Sequence, residues 1–334
     1  MKMKKILALS MAAVMALALA ACGGSAGGDT GSGDAGGTVS LKMATGGTSG
    51  TYYGFSGVVA QVLNEKIPDA LNITVESTGA SAANIDLIDT NGDQIAIVQN
   101  DVMYYAATGT DMYDGKTPID SYSAVMSCYP EYVQIVANKS ITSIDQLKGK
   151  KVSVGDAGSG VEFNARQILA AYGIDIDSDI VKNNQSFADS ADSLKNGTID
   201  AAFVVAGYPT TAISELASTY SFNLLPVDQE HADALMNDYG FYTYGVVPGG
   251  TYGPVADDVP AVAVMATIIA RNDVPQEAIY NLVKGIFEYQ DDIAAAHDKG
   301  KELSLETAVS GIGIPFHPGA TQFFEEEGVE IPAQ

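Results

Sequence analysis

Three short loops of glycine, serine and threonine carry the residues best suited to chemistry. They are Gly46–Thr51, Ser77–Ser81 and Gly158–Gly160, and each lies between a predicted strand and a predicted helix. The first turn of a helix has unpaired N–H groups, and the helix dipole adds roughly half a positive charge there. Glycine lets a ligand approach the backbone closely, and hydroxyl groups supply further donors. The three loops together therefore predict a site for a small anion.

None of these loops matches a nucleotide-binding or catalytic motif. No Gly-Lys-Ser/Thr follows any of them, and Gly155–Gly160 does not have the G-x-G-x-x-G spacing. A Ser–His–Asp hydrolase needs a G-x-S-x-G elbow, which this segment also lacks. The histidines His231, His297 and His317 show no metal-ligand spacing. We therefore expect no enzyme, no metal and no cofactor, although each loop taken alone is also explained as a cap and a turn.

Five single side chains have both a functional and a structural interpretation. Tyr53 follows a tyrosine with core-like spacing, so its own ring is free to face a ligand. Asn84 either donates its amide to a ligand or faces solvent. Arg166 lies about two turns into its predicted helix, and we expect it to pair with a surface acid. Cys128 is predicted to be a core residue, and His317 a structural residue whose imidazole bonds to the backbone.

The elements that must position these loops alternate between strand and helix along most of the chain. Such alternation predicts an α/β fold with a mostly parallel sheet covered on both faces. The C-terminal third is predicted to be helical, with long runs at Val262–Ala270 and Pro275–Tyr289. The apolar run Ala261–Ala270 by itself suits a buried helix or strand, and it is too short to span a membrane.

The N-terminus has the pattern of an export signal. Lysines precede an apolar run that ends in Leu19-Ala20-Ala21-Cys22, which resembles a bacterial lipoprotein signal. We therefore predict a signal peptide over residues 1–21, lipidation of Cys22 and a flexible Gly/Ser-rich tether over residues 22–38. The mature chain is expected outside the cytoplasm, either lipid-anchored to the outer face of the bacterial cell membrane or periplasmic.

Composition narrows the class of partner. The 334 residues include 17 Lys+Arg against 41 Asp+Glu, which gives a formal net charge of −24. Such a surface repels nucleic acid and anionic lipid, so we expect no nucleic-acid partner and contact with the membrane only through the lipid anchor. The length beyond the tether is sufficient for two domains with separate cores.

Motifs in consistent order from about Val39 to Gly328 resemble the TAXI-type solute-binding proteins of TRAP transporters. They are TGGTSGTYY at Thr45–Tyr53, STGASAAN at Ser77–Asn84, LKGKKVSVG through GSG at Leu147–Gly160, DAAF through GYP at Asp200–Pro209, and HPGA at His317–Ala320. The resemblance implies a two-lobed periplasmic-binding-protein fold (type II-like), in which each lobe is a mostly parallel sheet flanked by helices. A ligand cleft would lie between the lobes.

The same resemblance implies domain bounds and a mechanism. Residues 39–126 and 248–334 would form lobe one, and residues 127–247 would form lobe two. The chain would be a monomer that captures a small carboxylate (glutamate, a related amino acid or a dicarboxylate) and delivers it to the membrane subunits of a TRAP permease. The predicted ligand-binding residues are Gly47, Thr48, Ser49, Gly50, Thr51, Tyr53, Ser77, Gly79, Ser81, Asn84, Gln99, Asp101, Gly158, Ser159, Gly160, Gly207 and Pro209.

Two alternatives remain open at this point. The first is a substrate-binding lipoprotein of an ATP-driven importer for a sulfonate or a thiamine-precursor-like ligand. The second is a secreted enzyme on the same two lobes.

Overall fold

Strands and helices alternate through most of the computed structural model, which describes residues 37–333. The predicted signal peptide, Cys22 and nearly all of the predicted tether lie outside the described residues. The strands are β1 (Val39–Ala44), β2 (Leu71–Glu76), β3 (Ile95–Gln99), β4 (Tyr122–Asn138), β5 (Lys151–Ser153), β6 (Val181–Asn183), β7 (Ala201–Ala206), β8 (Phe222–Leu225), β9 (Thr243–Val247) and β10 (Val259–Arg271). The helices are α1 (Thr51–Lys66), α2 (Ser81–Asp89), α3 (Asn100–Thr108), α4 (Gly160–Ala171), α5 (Phe187–Lys195), α6 (Thr211–Ala217), α7 (Gln229–Tyr239), α8 (Gln276–Glu288), α9 (Gln290–Ala296) and α10 (Pro318–Glu326).

All ten strands belong to one mixed sheet. Its main path is β2-β1-β3-β10-β4-β7-β5-β6, with β8 paired to β4 and β9 paired to β10. The two wings, β2-β1-β3 and β7-β5-β6, are parallel. The long strands β4 and β10 run antiparallel to each other and to the strands that flank them in the path. The α/β class and the parallel wings agree with the prediction, but the sheet is mixed and not mostly parallel, because β4 and β10 add five antiparallel pairings to the four parallel ones.

The helical prediction for Val262–Ala270 is wrong, because this segment lies within strand β10. The run is apolar at almost every position, and an all-apolar run has no periodicity that separates helix from strand. Its β-branched residues favour a strand that is buried on both faces. Strand β10 pairs with β3, β4 and β9, which makes it a central strand of the sheet.

The hydrophobic core falls into four clusters that divide along β4 and β10. Residues of β4 up to Tyr129 and of β10 from Ala266 onward belong to two clusters with the β2-β1-β3 wing. Residues of β4 from Val133 and of β10 up to Val264 belong to two clusters with the β7-β5-β6 wing. Glu131, which stands opposite Val264 in the register, lies where the two sets separate. The lobe boundaries expected from the sequence stay a prediction.

Three structural interpretations of single residues are confirmed. Cys128 is 1% exposed within the core, and its burial raises the pKa of the thiol. Arg166 pairs with Asp177, with 2.6 Å between Nη1 and Oδ2. The ring of His317 contacts the carbonyl oxygen of Val274 at 3.1 Å through Nε2 and caps α10 by accepting from the N–H of Gly319.

Within residues 37–333, no helix combines the length and the apolar character needed to cross a membrane.

Candidate ligand-binding site

Helices α1 and α4 begin at the two sides of a partly open cavity of about 50 Å³. One water molecule needs roughly 10–15 Å³ on this scale, so the space suits a compact solute rather than a single water. Its wall is built from the loop before α1, the start of α2, the end of β3, the middle of β4, the loop before α4, the start of α5 and the end of β7. Both wings of the sheet therefore contribute to one cavity.

The two helix starts differ in what they offer an anion. Helix α1 follows Gly50, whose extended backbone (φ −95°, ψ 170°) provides no side-chain cap. Helix α4 is capped: the hydroxyl of Ser159 accepts from the N–H of Glu162, and the Glu162 carboxylate accepts from the N–H of Gly158 at 2.8 Å. This reciprocal arrangement satisfies donors that an anion would otherwise use. The uncapped start of α1 is thus the stronger anion position.

Eight of the residues predicted from the sequence line the cavity. They are Gly47, Ser49, Gly50, Thr51, Ser81, Gln99, Ser159 and Gly160. The structure brings them together because the ends of β1 and β3 and the loop after β5 meet at one side of the sheet, where loops of parallel strands converge.

The other nine predicted residues lie away from the cavity wall, where several hold the loops in shape. They are Thr48, Tyr53, Ser77, Gly79, Asn84, Asp101, Gly158, Gly207 and Pro209. The Asn84 amide donates to the carbonyl oxygens of Thr45 and Ile97, and the Ser77 hydroxyl donates to that of Gly46 at 2.9 Å. Asn84 is therefore neither the ligand donor nor the solvent-facing residue that the sequence allowed.

Residues 207–209 and the loop at Gly158 also have structural positions. The carbonyl oxygen of Gly207 accepts from the hydroxyls of Thr51 and Thr210, each at 2.9 Å. Pro209 follows a cis peptide bond, and Gly158 has φ +74°, a conformation that favours glycine. Tyr53 is half-buried, Thr48 is exposed, and Gly79 borders a separate surface groove with Ser77.

Ten residues of the wall were not among the predicted ligand-binding residues, although two of them, Gly46 and Ala80, belong to the predicted loops. The ten are Gly46, Tyr52, Ala80, Glu131, Asp156, Val161, Ser186, Phe187, Val205 and Ala206. Phe187, Val205 and Ala206 give the cavity an apolar side, and Asp156 is an exposed residue at its edge. The sequence contained one signal for Glu131. A single acidic residue within the apolar strand β4 is costly to bury, which indicates that it is paired or functional.

Glu131 is a buried carboxyl group on the wall. It is 2% exposed, and its Oε2 accepts from the hydroxyl of Tyr52 at 2.6 Å. Burial raises the pKa of this carboxyl well above its usual range, and the Tyr52 hydrogen bond opposes that shift. The negative charge of Asp101 raises the pKa further, whereas Lys299 lowers it.

No basic side chain of residues 37–333 lines the cavity. Lys299 lies behind it, 1% exposed, with Nζ 4.6 Å from the centre of the Tyr208 ring and paired to Glu302. The negative charge of Glu302 and the face of the Tyr208 ring therefore offset much of the positive potential that Lys299 would produce in the cavity.

A buried polar network joins α3 to α4 beside the cavity. Asn164 of α4 donates through Nδ2 to Asp101 Oδ2 and to the hydroxyl of Tyr242, both at 2.9 Å. Its Oδ1 accepts from Gln99 Nε2 at 3.1 Å, and the Tyr242 hydroxyl donates to Gln167 at 2.6 Å. Asp101 is thus a positioning residue that orients Asn164 and, through it, Gln99.

The Asp101 carboxyl predicts a measurable pH dependence. Burial raises its pKa from about 3.8 to about 6, with Asp111 adding to the shift and the hydrogen bond from Asn164 opposing it. Because folding raises this pKa, the stability that protonation contributes is complete below about pH 4 and is lost as pH rises through about 6. Relative to Asp101→Asn, we expect the wild-type unfolding free energy to fall by up to roughly 3 kcal/mol across that range.

Urea unfolding of both proteins at several pH values measures this difference. The exposed Asp69, changed to Asn, serves as the control. Parallel pH profiles for wild type and Asp101→Asn would contradict the prediction.

Comparisons with known proteins agree with this architecture. A sequence profile of the NMT1-like family matches residues 43–328. The alkanesulfonate-binding protein SsuA from Xanthomonas axonopodis pv. citri, bound to MOPS, is similar with TM-score 0.50 and 16% identity, covering 87% of this chain and 84% of that chain. A structure from Bordetella bronchiseptica RB50 gives TM-score 0.51 and 15% identity, covering 88% of this chain and 90% of that chain.

A further similar structure comes from work on glutathione import in Gram-positive bacteria via GshT and the cystine ABC importer TcyBC of Streptococcus mutans. It gives TM-score 0.51 and 12% identity, covering 79% of this chain and 94% of that chain. At such identities the likeness is one of fold, and it confirms the α/β periplasmic-binding-protein fold.

Proposed function

The chain belongs to the NMT1-like family, and on that basis we propose that it is an extracytoplasmic solute-binding protein that presents a small acidic solute to a membrane importer. The observation that carries this proposal is the partly open cavity between the starts of α1 and α4, which is lined by residues from both parallel wings of the sheet. Such a cavity retains a solute, and the described residues around it supply hydrogen-bond donors and acceptors rather than an assembled catalytic group.

An ATP-driven importer is the partner that the comparisons favour. The similar structures include an alkanesulfonate-binding protein and one from work on an ABC importer. A second candidate is a TRAP permease that takes up a small carboxylate, and it is favoured by the ordered TAXI-like motifs, including TGGTSGTYY at Thr45–Tyr53. In either case the protein would work as a monomer outside the cytoplasm, tethered through Cys22.

The uncapped start of α1 gives the sharpest test of binding. Thr51→Pro removes one backbone N–H at the first helical position, where proline is well tolerated and where the extended Gly50 suits a following proline. Thr51→Val is the matched control, because it removes the hydroxyl and keeps the N–H. Mass spectrometry of solute released from the denatured wild-type protein identifies the ligand, and calorimetry then measures its affinity for each variant.

We expect Thr51→Pro to weaken binding at least tenfold more than Thr51→Val, on the scale of a charge-assisted hydrogen bond of about 1.5–3 kcal/mol. Equal affinities of the two variants would exclude this helix start as the anion position. A wild-type protein that releases no solute and binds neither sulfonates nor carboxylates would overturn the proposed function. Release of a sulfonate favours the ATP-driven importer.

A further inference from the structure

Phe187 stands between the solute cavity and a second, smaller space. Among residues 37–333, it alone lines both the cavity at the start of α1 and a neighbouring space of about 10 Å³. The second space is bounded by α5, α6 and the strands β4 and β7. Phe187 is therefore the partition that the two spaces have in common.

The second space is almost entirely apolar. Ser190 is the one polar residue among the described residues that line it, and its hydroxyl is already occupied. This hydroxyl donates to the carbonyl oxygen of Ser186 at 2.7 Å and contacts the hydroxyl of Ser153 at 2.7 Å. Because an apolar space does not stabilise a water molecule, this one suits apolar atoms.

The position of the Phe187 ring is determined by the start of α5. Phe187 is the first residue of this helix, and the hydroxyl of the preceding Ser186 accepts from the N–H of Asp189 at 3.2 Å. The half-buried ring packs against both hydrophobic clusters of the β7-β5-β6 wing. A Cβ added at Gly50 would lie 3.6 Å from two of its ring carbons. The ring thus extends from one wing of the sheet to the α1 start on the other.

The ring also limits the room for the uncharged part of a solute. With the acidic group at the start of α1, this part lies against the apolar side of the cavity, which is formed by Phe187, Val205 and Ala206. In a cavity of about 50 Å³, added methylene groups would be forced against the ring. Such overpacking is unfavourable, although apolar space for these groups exists beyond the ring.

We propose that Phe187 is the residue that limits the length of the apolar tail of the solute. This inference rests on the proposed function and adds the shape of the solute: an acidic group with a short apolar tail rather than a long-chain acid. It applies to a sulfonate and to a carboxylate alike, because the acidic group of either is held by the α1 start.

Two homologous series with a constant acidic group test the length limit. They are methane-, butane- and hexanesulfonate, and acetate, butyrate and hexanoate, each titrated into the purified mature protein by calorimetry. We expect wild type to bind the six-carbon member roughly tenfold less tightly than the best shorter member of its series. Phe187→Ala joins the two spaces, and each methylene buried there is worth roughly fourfold in affinity, so this variant should bind the six-carbon member roughly 30-fold more tightly than wild type.

Two further substitutions locate the effect in the second space. Leu216 lines this space but not the solute cavity, so Leu216→Ala enlarges it while Phe187 still closes it off, and we expect the wild-type length preference. Ala191 also lines the second space, one helical turn after Phe187. Adding Ala191→Leu to Phe187→Ala should refill the vacated space and lower the affinity for the six-carbon member roughly fivefold.

The outcomes separate this inference from the proposed function. The same length preference in wild type and Phe187→Ala overturns the inference and leaves the proposed function standing. A double variant that binds the six-carbon member as tightly as Phe187→Ala also overturns it. Binding of none of the six compounds by wild type counts against both the inference and the proposed function.

Phe187→Leu keeps the test decisive where the alanine variant does not fold. Leucine retains much of the packing of the ring but is shorter, so this variant should bind the six-carbon member roughly threefold more tightly than wild type. An unchanged length preference in Phe187→Leu overturns the inference as well. Retained binding of the shorter compounds shows that a variant is folded.

Discussion

Replacing Asn164 with leucine should weaken solute binding by a hundredfold or more. Asn164 is fully buried and makes three hydrogen bonds, to Asp101, Tyr242 and Gln99. Leucine has a similar volume and none of these bonds, so the Asp101 carboxylate and the Tyr242 hydroxyl each lose a donor and the Gln99 amide loses its acceptor. Breaking one partner of a buried charged network costs about 3–5 kcal/mol.

The cost should appear in binding because the network joins the two sides of the cavity. Asp101 lies on α3 and Asn164 on α4, so the bonds form only while these helices are together. Under the proposed function, an open, solute-free form exposes the groups to water and avoids the penalty. Calorimetry gives the affinity, and thermal unfolding of the solute-free protein gives the fold stability.

Asn84→Leu is the matched control for this variant. Asn84 is equally buried, but its amide bonds to the backbone of Thr45 and Ile97 within one wing of the sheet. We expect it to lower the melting temperature of the solute-free protein and to change affinity little. The reverse pattern, with Asn164→Leu unstable and normal in affinity, would show that the α3–α4 network does not depend on closure.

Replacing Gly160 with alanine should weaken binding by roughly 10- to 100-fold. A Cβ added at Gly160 would lie 1.7 Å from Gln99 Oε1 and 2.8 Å from Val102 Cγ2. Gln99 cannot simply swing aside, since its amide nitrogen is bonded to Asn164. Overpacking of this kind costs about 1–3 kcal/mol, and here it opposes the approach of α4 to α3.

Gly57→Ala in helix α1 separates this effect from general helix changes. A Cβ at Gly57 meets no heavy atom within 4 Å, so alanine there should stabilise the helix slightly and leave affinity unchanged. Both affinities are measured by calorimetry on the same preparation of solute. Wild-type affinity in Gly160→Ala would mean that the start of α4 does not pack against Gln99 and Val102 when solute is bound.

The sequence alone was sufficient for features that depend on short stretches of chain. The order of strand, glycine-rich loop and helix predicted the α/β class, and eight of the predicted ligand-binding residues line one cavity, while their role in binding stays a prediction. The roles of Arg166 and His317 were also predictable. Arg166 pairs with Asp177, and His317 accepts from the N–H of Gly319, so both interactions involve residues that are near in the sequence. Patterns of this kind are determined by backbone geometry and the helix start itself.

The tertiary structure alone decided which residues face the cavity and which support it. Asn84 and Asp101 have polar side chains next to the predicted loops, yet both are occupied by partners distant in sequence. Glu131 reaches the cavity because β4 crosses between the two sets of core clusters, and its lone acid in an apolar strand does not by itself reveal that position. Likewise, the segment of β10 forms a strand because it pairs with β3 on one side and β4 on the other. The physical reason is the same in each case. Burial and orientation depend on a hydrogen-bond partner or a neighbouring strand that is distant in the sequence, and short-range periodicity does not predict such partners.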